Sequence, residues 1–192
     1  MFVAMAVEPC TKGIGIRGYL DAVGSLHGSE ARQKVLDALP QHVRRIAQDD
    51  SMRTKWVKVS DFFAVYDVVT KVLFDGDYSK LIEIGRQQVR NDMSSGIYRI
   101  FMKVISPSWA VKRAPMFWRL YHDSGELIVE EKEPKHIIGR VNYPIPHPGF
   151  WWDQIGSFVG VLEAAGAENV RWTITGGGGS NDTYITGVFE YD

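Results

Sequence analysis

A single cysteine, Cys10, stands in a chain of 192 residues, and that scarcity excludes more than any other feature of the sequence. It forbids an internal disulfide and removes every zinc site that draws two or more thiolates from one chain. A chain that does without structural disulfides suits a reducing compartment, so a cytoplasmic protein is expected. Long apolar runs are missing as well. The opening MFVAMAVEPC is too short to span a bilayer and lacks the basic start and small-residue cleavage pattern of a secretory signal, and no later segment approaches spanning length, so no membrane span is expected. An excess of one charge is also absent. Lys plus Arg (22) nearly balances Asp plus Glu (23), which argues against a protein that holds nucleic acid by neutralising many phosphates.

The reaction-bearing motifs are equally scarce. The five histidines, His27, His42, His122, His136 and His147, include no pair at the i, i+4 spacing that aims two rings at one ion, and HExxH does not occur, so no metal site is expected. Haem needs only one axial histidine, and His122, next to Trp118 and Tyr121 in sequence, is the best placed of the five. Cys10 has Lys12 as its only close basic neighbour in sequence, and GxSxG is absent. The acidic pairs Asp49-Asp50 and Glu130-Glu131 are adjacent in sequence and therefore point apart in a helix or strand. The run Gly176 to Gly179 leads into TYITGVFEY, a strand-like segment, whereas a phosphate cradle ends at a helix N-terminus, so a flexible hairpin loop is expected there. With no acid, base and nucleophile set to assemble, the protein is read as not an enzyme, and no cofactor is expected.

What the chain does contain is a helical first two-thirds followed by β-β-α-β-β. Apolar spacing predicts helices over 17–26, from Ser29 to Pro40, over 41–48, from a Ser60 N-cap to Leu73, and over 78–92. Gly13 to Ile16 reads as extended. A wide apolar face from Ser95 to Ile105 reads as a central buried helix, and Pro107 opens another that Pro115 kinks or divides. Glu126–Glu131 and His136–Val141 form a hairpin, three prolines stiffen 142–149, and a helix over 150–166 precedes two strands at 169–175 and 183–191. The predicted fold is a single α+β domain over residues 1–192, its helices packed on a four-stranded, mostly antiparallel C-terminal sheet.

Aromatic residues crowd the middle of the chain. Tyr98, Phe101, Trp109, Phe117, Trp118 and Tyr121 are the candidate ligand-binding set, with Phe150, Trp151 and Trp152 nearby. Two readings stand side by side: plain core, or the lining of an internal cavity for a small hydrophobic or aromatic molecule. Lys103, Lys112, Arg113 and Arg119 flank the region; Lys112 and Arg113 read either as a solvated helix face or as a site for an acidic headgroup or a partner.

The run YRIFMKVISPSWAVKRAPMFWRLYHDSGELIVEE carries a Ser-Pro helix start, an Arg-Ala-Pro step, and a Ser-Gly-x-Leu turn into a strand. It resembles a family of proteins of about this length abundant in myxobacteria, distantly similar to vinyl-reductase-like sensor domains, haem nitric-oxide-binding domains and TRAPP vesicle-tethering subunits. The resemblance implies helices against a curved antiparallel sheet with a hydrophobic cavity between them, and a sensory or regulatory role. It also implies frequent dimers. Two departures qualify it. The C-terminal hairpin has none of the zinc-holding cysteines of the vinyl-reductase-like sensors, and the Tyr-x-Ser-x-Arg signature of the haem branch is missing. The expectation is therefore a sensory domain that binds a small hydrophobic molecule; an adaptor acting through a protein partner or as a homodimer is the alternative.

Overall fold

A computed structural model describes residues 8–94 and 105–192. Its elements run β1 (Cys10–Lys12), α1 (Gly13–Ala38), α2 (Gln41–Gln48), β2 (Trp56–Lys58), α3 (Val59–Leu73), α4 (Leu81–Ser94), α5 (Pro107–Tyr121), β3 (Glu126–Glu133), β4 (His136–Asn142), α6 (Pro148–Ala164), β5 (Arg171–Gly177) and β6 (Tyr184–Glu190). The four C-terminal strands make one antiparallel sheet in the order β3-β4-β6-β5, so the predicted α+β architecture is the observed one. The strand or leader read at 2–7 and the central helix read at 95–105 lie in or largely in the segments outside the described residues.

Local chemistry accounts for most boundaries. Gly28, at φ 88°, interrupts α1 and leaves two helical arms, which answers to the break expected there. The Ser106 hydroxyl accepts from the Trp109 backbone N–H at 3.3 Å, and Pro107 takes the first helical position, where a missing donor costs nothing. Four expectations are corrected. Gly13 to Ile16 is helical, because β1 ends at Lys12 and the chain turns straight into α1. Helix α3 starts at Val59 rather than after a Ser60 cap; its N-cap is Lys58, with no side-chain bond. Helix α5 runs unbroken through Pro115. A two-stranded antiparallel sheet, β1 with β2, was not expected, since three residues are too few to show alternation.

The sheet buries one face. Ile137, Gly139 and Val141 of β4 pair with Phe189, Gly187 and Ile185 of β6 in that register, and all six point inward. On the other side of α6 the contact with α4 is nearly backbone to backbone. A Cβ on Gly156 would lie 2.1 Å from the Ile82 carbonyl oxygen, and one on Gly160 would lie 3.0 Å from that of Arg86. The Arg86 and Arg90 guanidiniums close the seam by pairing with Glu163.

Alanine ordinarily stabilises a helix interior relative to glycine by about 1 kcal/mol, but here the added methyl has no room. Gly156→Ala is expected to destabilise the fold by roughly 1–3 kcal/mol, which for a chain of this size lowers the thermal midpoint by about 2–4 °C per kcal/mol. Circular dichroism melts of the two proteins check it.

Candidate functional site

Helix α5 divides the sequence-predicted site residues by face. Trp118 is buried together with Ala110, Val111 and Ala114, at the spacing of one helical stripe. Phe117 is half-buried. Trp109, 43% exposed, belongs to the outer side of the helix, as do Met116 and Leu120, while Tyr121, three residues after Trp118 on the inner stripe, is 39% exposed at the helix's last position. Tyr98 and Phe101 lie outside the described residues. Of the six, only Trp118 is both described and part of the buried aromatic interior; the period of 3.6 residues places Trp109 on the opposite face, which a count of aromatic residues does not.

Around Trp118 the rings pack against one another across the helix–sheet seam. His122 stacks on it with centroids 4.1 Å apart, and Tyr143 and Phe150 meet it edge to face at 6.0 and 6.2 Å. Tyr143 and Phe150 are 4.7 Å apart, and Phe150 passes the contact on to Phe63 and Trp151. These are the spacings of aromatic rings in van der Waals contact. The Trp118 indole N–H donates to the Ser124 carbonyl at 3.3 Å. Strand β1 holds the end of the helix: the Thr11 hydroxyl donates to the Tyr121 carbonyl at 3.0 Å, and the Cys10 backbone N–H donates to Asp123 at 2.8 Å.

Two polar atoms inside this cluster have no hydrogen-bond partner among the described residues, His122 Nδ1 and the Tyr143 hydroxyl. Burial pushes the His122 imidazole down to about 4, so it is neutral at physiological pH. Burial raises the Tyr143 phenol, with the Asp123 carboxylate adding to the effect. Unpaired buried groups of this kind are rare because each forfeits its hydration.

A second polar group lies deeper, among the helices. Asp153 of α6 is 4% exposed. One of its carboxylate oxygens accepts from the Tyr66 hydroxyl at 2.9 Å and from the Gln154 amide at 3.2 Å, while the other, Oδ1, has no partner. The bare backbone of Gly85 makes room for it: a Cβ there would come within 2.5 Å of Oδ1. Burial raises the Asp153 carboxyl to about 7, with the Tyr66 bond opposing. Tyr19, edge-on to Tyr66 at 5.2 Å, also leaves its buried hydroxyl unpaired. His147 is by contrast fully used. Its Nδ1 accepts from the Gly149 N–H at 3.1 Å, its Nε2 faces Asp67 at 3.1 Å, and its ring stacks on Phe63 at 4.4 Å. None of His122, Tyr143, His147 and Asp153 stands out in sequence as a site residue except His122, because nothing in their spacing marks them as neighbours.

Surface concavity lies beside the ring cluster. A recess of about 590 Å³ is lined by Arg119, Glu126, Arg140, Asn142, Tyr143 and Tyr184, at the edge of the sheet where β4 leads into the proline-rich connector. Tyr143, 1% exposed, belongs both to this recess and to the ring cluster behind it. Among the described residues no group of three or more His, Cys, Asp and Glu is arranged to hold a metal ion, and no helix is long and apolar enough to cross a membrane.

Asp153 and His122 act oppositely on stability. A carboxyl raised from 3.8 to about 7 binds more protons folded than unfolded, so its contribution is full below pH 3.8 and is lost as pH rises to about 7, by roughly 4 kcal/mol in total. The imidazole lowered from 6.5 to about 4 contributes stability that is lost as pH falls through that window. Asp153→Asn removes the first effect, so urea titrations should show the variant gaining on the native protein as pH rises from 4 to 7 and losing stability more steeply toward acid.

The fold is similar to that of H-NOX proteins. An H-NOX protein from S. oneidensis, solved in an Fe(II)NO ligation state, superposes with a TM-score of 0.70 at 14% identity, covering 94% of this chain and 99% of that one. A mutant H-NOX of T. tengcongensis gives 0.68 at 9% identity, covering 94% and 97%. An oxygen-binding H-NOX domain related to soluble guanylate cyclases gives 0.67 at 12% identity, covering 94% and 95%. The likeness to haem nitric-oxide-binding domains expected from the sequence is thus present in the fold. No curated protein matches the chain in sequence. Residues 11–185 match one family pattern, and on that span the chain belongs to the family described as a protein of unknown function, DUF2378.

Proposed function

We propose that this chain is a non-catalytic sensory or regulatory domain, and that a small hydrophobic or aromatic molecule binds at the seam of α5, α6 and the sheet. The observation that carries this reading is the pair of unpartnered polar atoms, His122 Nδ1 and the Tyr143 hydroxyl, set among contacting rings behind an open recess. A small molecule with one or two polar groups supplies what those atoms lack and gains the apolar contact of Trp118 and Phe150. The fold shared with H-NOX proteins supports a sensory role by analogy of architecture.

The described side chains do not fit haem. His147 has both ring nitrogens engaged, His42 and His136 are paired with Asp61 and Glu190 at the surface, and His27 is exposed at the surface with its ring edge-on to Phe74 at 5.4 Å. His122 has a free nitrogen, but Trp118 lies flat against its ring and Tyr143 and Phe150 stand edge-on at 5.8 and 5.9 Å, where a porphyrin would need an open plane. The ligand proposed is accordingly smaller than a porphyrin.

Native mass spectrometry of the purified full chain tests the proposal: a retained organic molecule is expected, lost when Tyr143→Ala opens the ring cluster. A chain that carries no such molecule, and whose tryptophan emission is unmoved across a library of small aromatic compounds, would falsify it. A second reading rests on Trp109, Met116 and Leu120, exposed on one side of α5, which suit an adaptor with a protein partner. Their replacement by serine abolishes the function if the adaptor reading holds and leaves ligand retention untouched if it does not.

A further inference from the structure

The recess beside Tyr143 has a chemistry of its own. Arg140 is fixed before any ligand arrives: its Nε donates to Asn142 at 2.8 Å, one terminal nitrogen reaches Thr186 at 3.5 Å, and its guanidinium lies over the Tyr184 ring at 4.1 Å. A guanidinium held by stacking and by a neighbouring amide loses little freedom on binding, and its remaining N–H groups keep their planar fork. Arg119, from the last turn of α5, lines the same recess, and its guanidinium makes no hydrogen bond or ion pair with the described residues. The one carboxylate in the lining, Glu126, already accepts from the Asn142 amide at 2.8 Å. Two guanidiniums against one engaged carboxylate leave the recess net positive, on a chain whose overall charge is −1. Pro144 and Tyr184 supply an apolar wall, with the buried Tyr143 behind it.

We propose that this recess binds a small organic anion with a flat apolar body, an aromatic carboxylate or phosphate, its charged group held by Arg119 and Arg140 and its ring laid against Pro144 and Tyr184. The inference rests on the seam reading above and names the class of molecule that site takes. Charge-assisted hydrogen bonds to a guanidinium fork are the strong ones, and they fix orientation as well as affinity. The apolar body reports on the ring cluster, because Tyr143 is in edge contact with Trp118.

The test is titration of the full chain with phenyl phosphate, benzoate, benzyl alcohol and inorganic phosphate, followed by calorimetry and by Trp emission. Phenyl phosphate or benzoate is expected to bind at least about ten-fold more tightly than benzyl alcohol or inorganic phosphate, and Arg140→Gln and Arg119→Gln are each expected to weaken it about ten-fold. Arg171→Gln, on β5 outside the recess, is expected to change nothing. Arg119 makes no hydrogen bond or ion pair with the described residues, so Arg119→Gln carries the test even if Arg140→Gln unfolds the chain. Two outcomes overturn the inference: benzyl alcohol binding as tightly as the anions and indifferent to both substitutions, or no saturable binding of any anion up to about 10 mM, weaker than the affinity range of specific ligands. A molecule retained from purification equally by native protein and by both arginine variants also overturns it, while leaving the seam reading intact.

Discussion

Everything in the helical layer is positioned by the contact between α4 and α6, where Gly156 brings one backbone against the Ile82 carbonyl of the other. No side chain intervenes at that point, so the two helices cannot separate or slide without opening a gap that nothing fills. Helix α6 is thereby fixed on one side by α4 and on the other by the sheet, through Ile155 against Gly187 and Phe158 against Gly139. It faces both layers, and its first turn delivers Phe150 and Trp151 to the ring cluster while Asp153 is carried into the helices.

The same constraint explains why polar groups end up unpaired. Closing α6 on Gly85 drives Asp153 into a space sized for one carboxyl and no donor beyond Tyr66 and Gln154. Closing it on α5 seals His122 Nδ1 and the Tyr143 hydroxyl behind Phe150. Natural proteins leave such groups unsatisfied mainly where they serve something other than stability. The cost falls on two separate places, one buried among helices and one behind the surface recess.

The fold was readable because its signals are local. Pro107 after Ser106, the Gly28 break, the Glu126 hairpin and the strand pair around the glycine run all depend on neighbours within a few residues. The misreadings share one cause in turn. A strand of three residues such as β1 has no period to detect, and Gly13 to Ile16 alternates like a strand while its neighbours make it helix. The site was less legible. Aromatic density pointed to the right region of α5 but merged its two faces, placing the exposed Trp109 beside the buried Trp118. Tyr143, His147 and Asp153 come together with residues of α3 and α5 only through tertiary packing, and an arginine such as Arg140, alternating along a strand, reads as ordinary solvated surface.

The glycine run at the tip of the last hairpin is not the loose loop its composition suggests. The indole N–H of Trp151, itself wholly buried, donates to the Gly179 carbonyl at 3.2 Å, and Asp182 accepts from the Gly179 amide at 2.8 Å. A core tryptophan therefore acts as a tether between the start of α6 and the far corner of the β5–β6 ribbon. Any tilt of that helix is transmitted as a tug on a surface corner 28 residues further along the chain, giving the interior a mechanical outlet at the periphery.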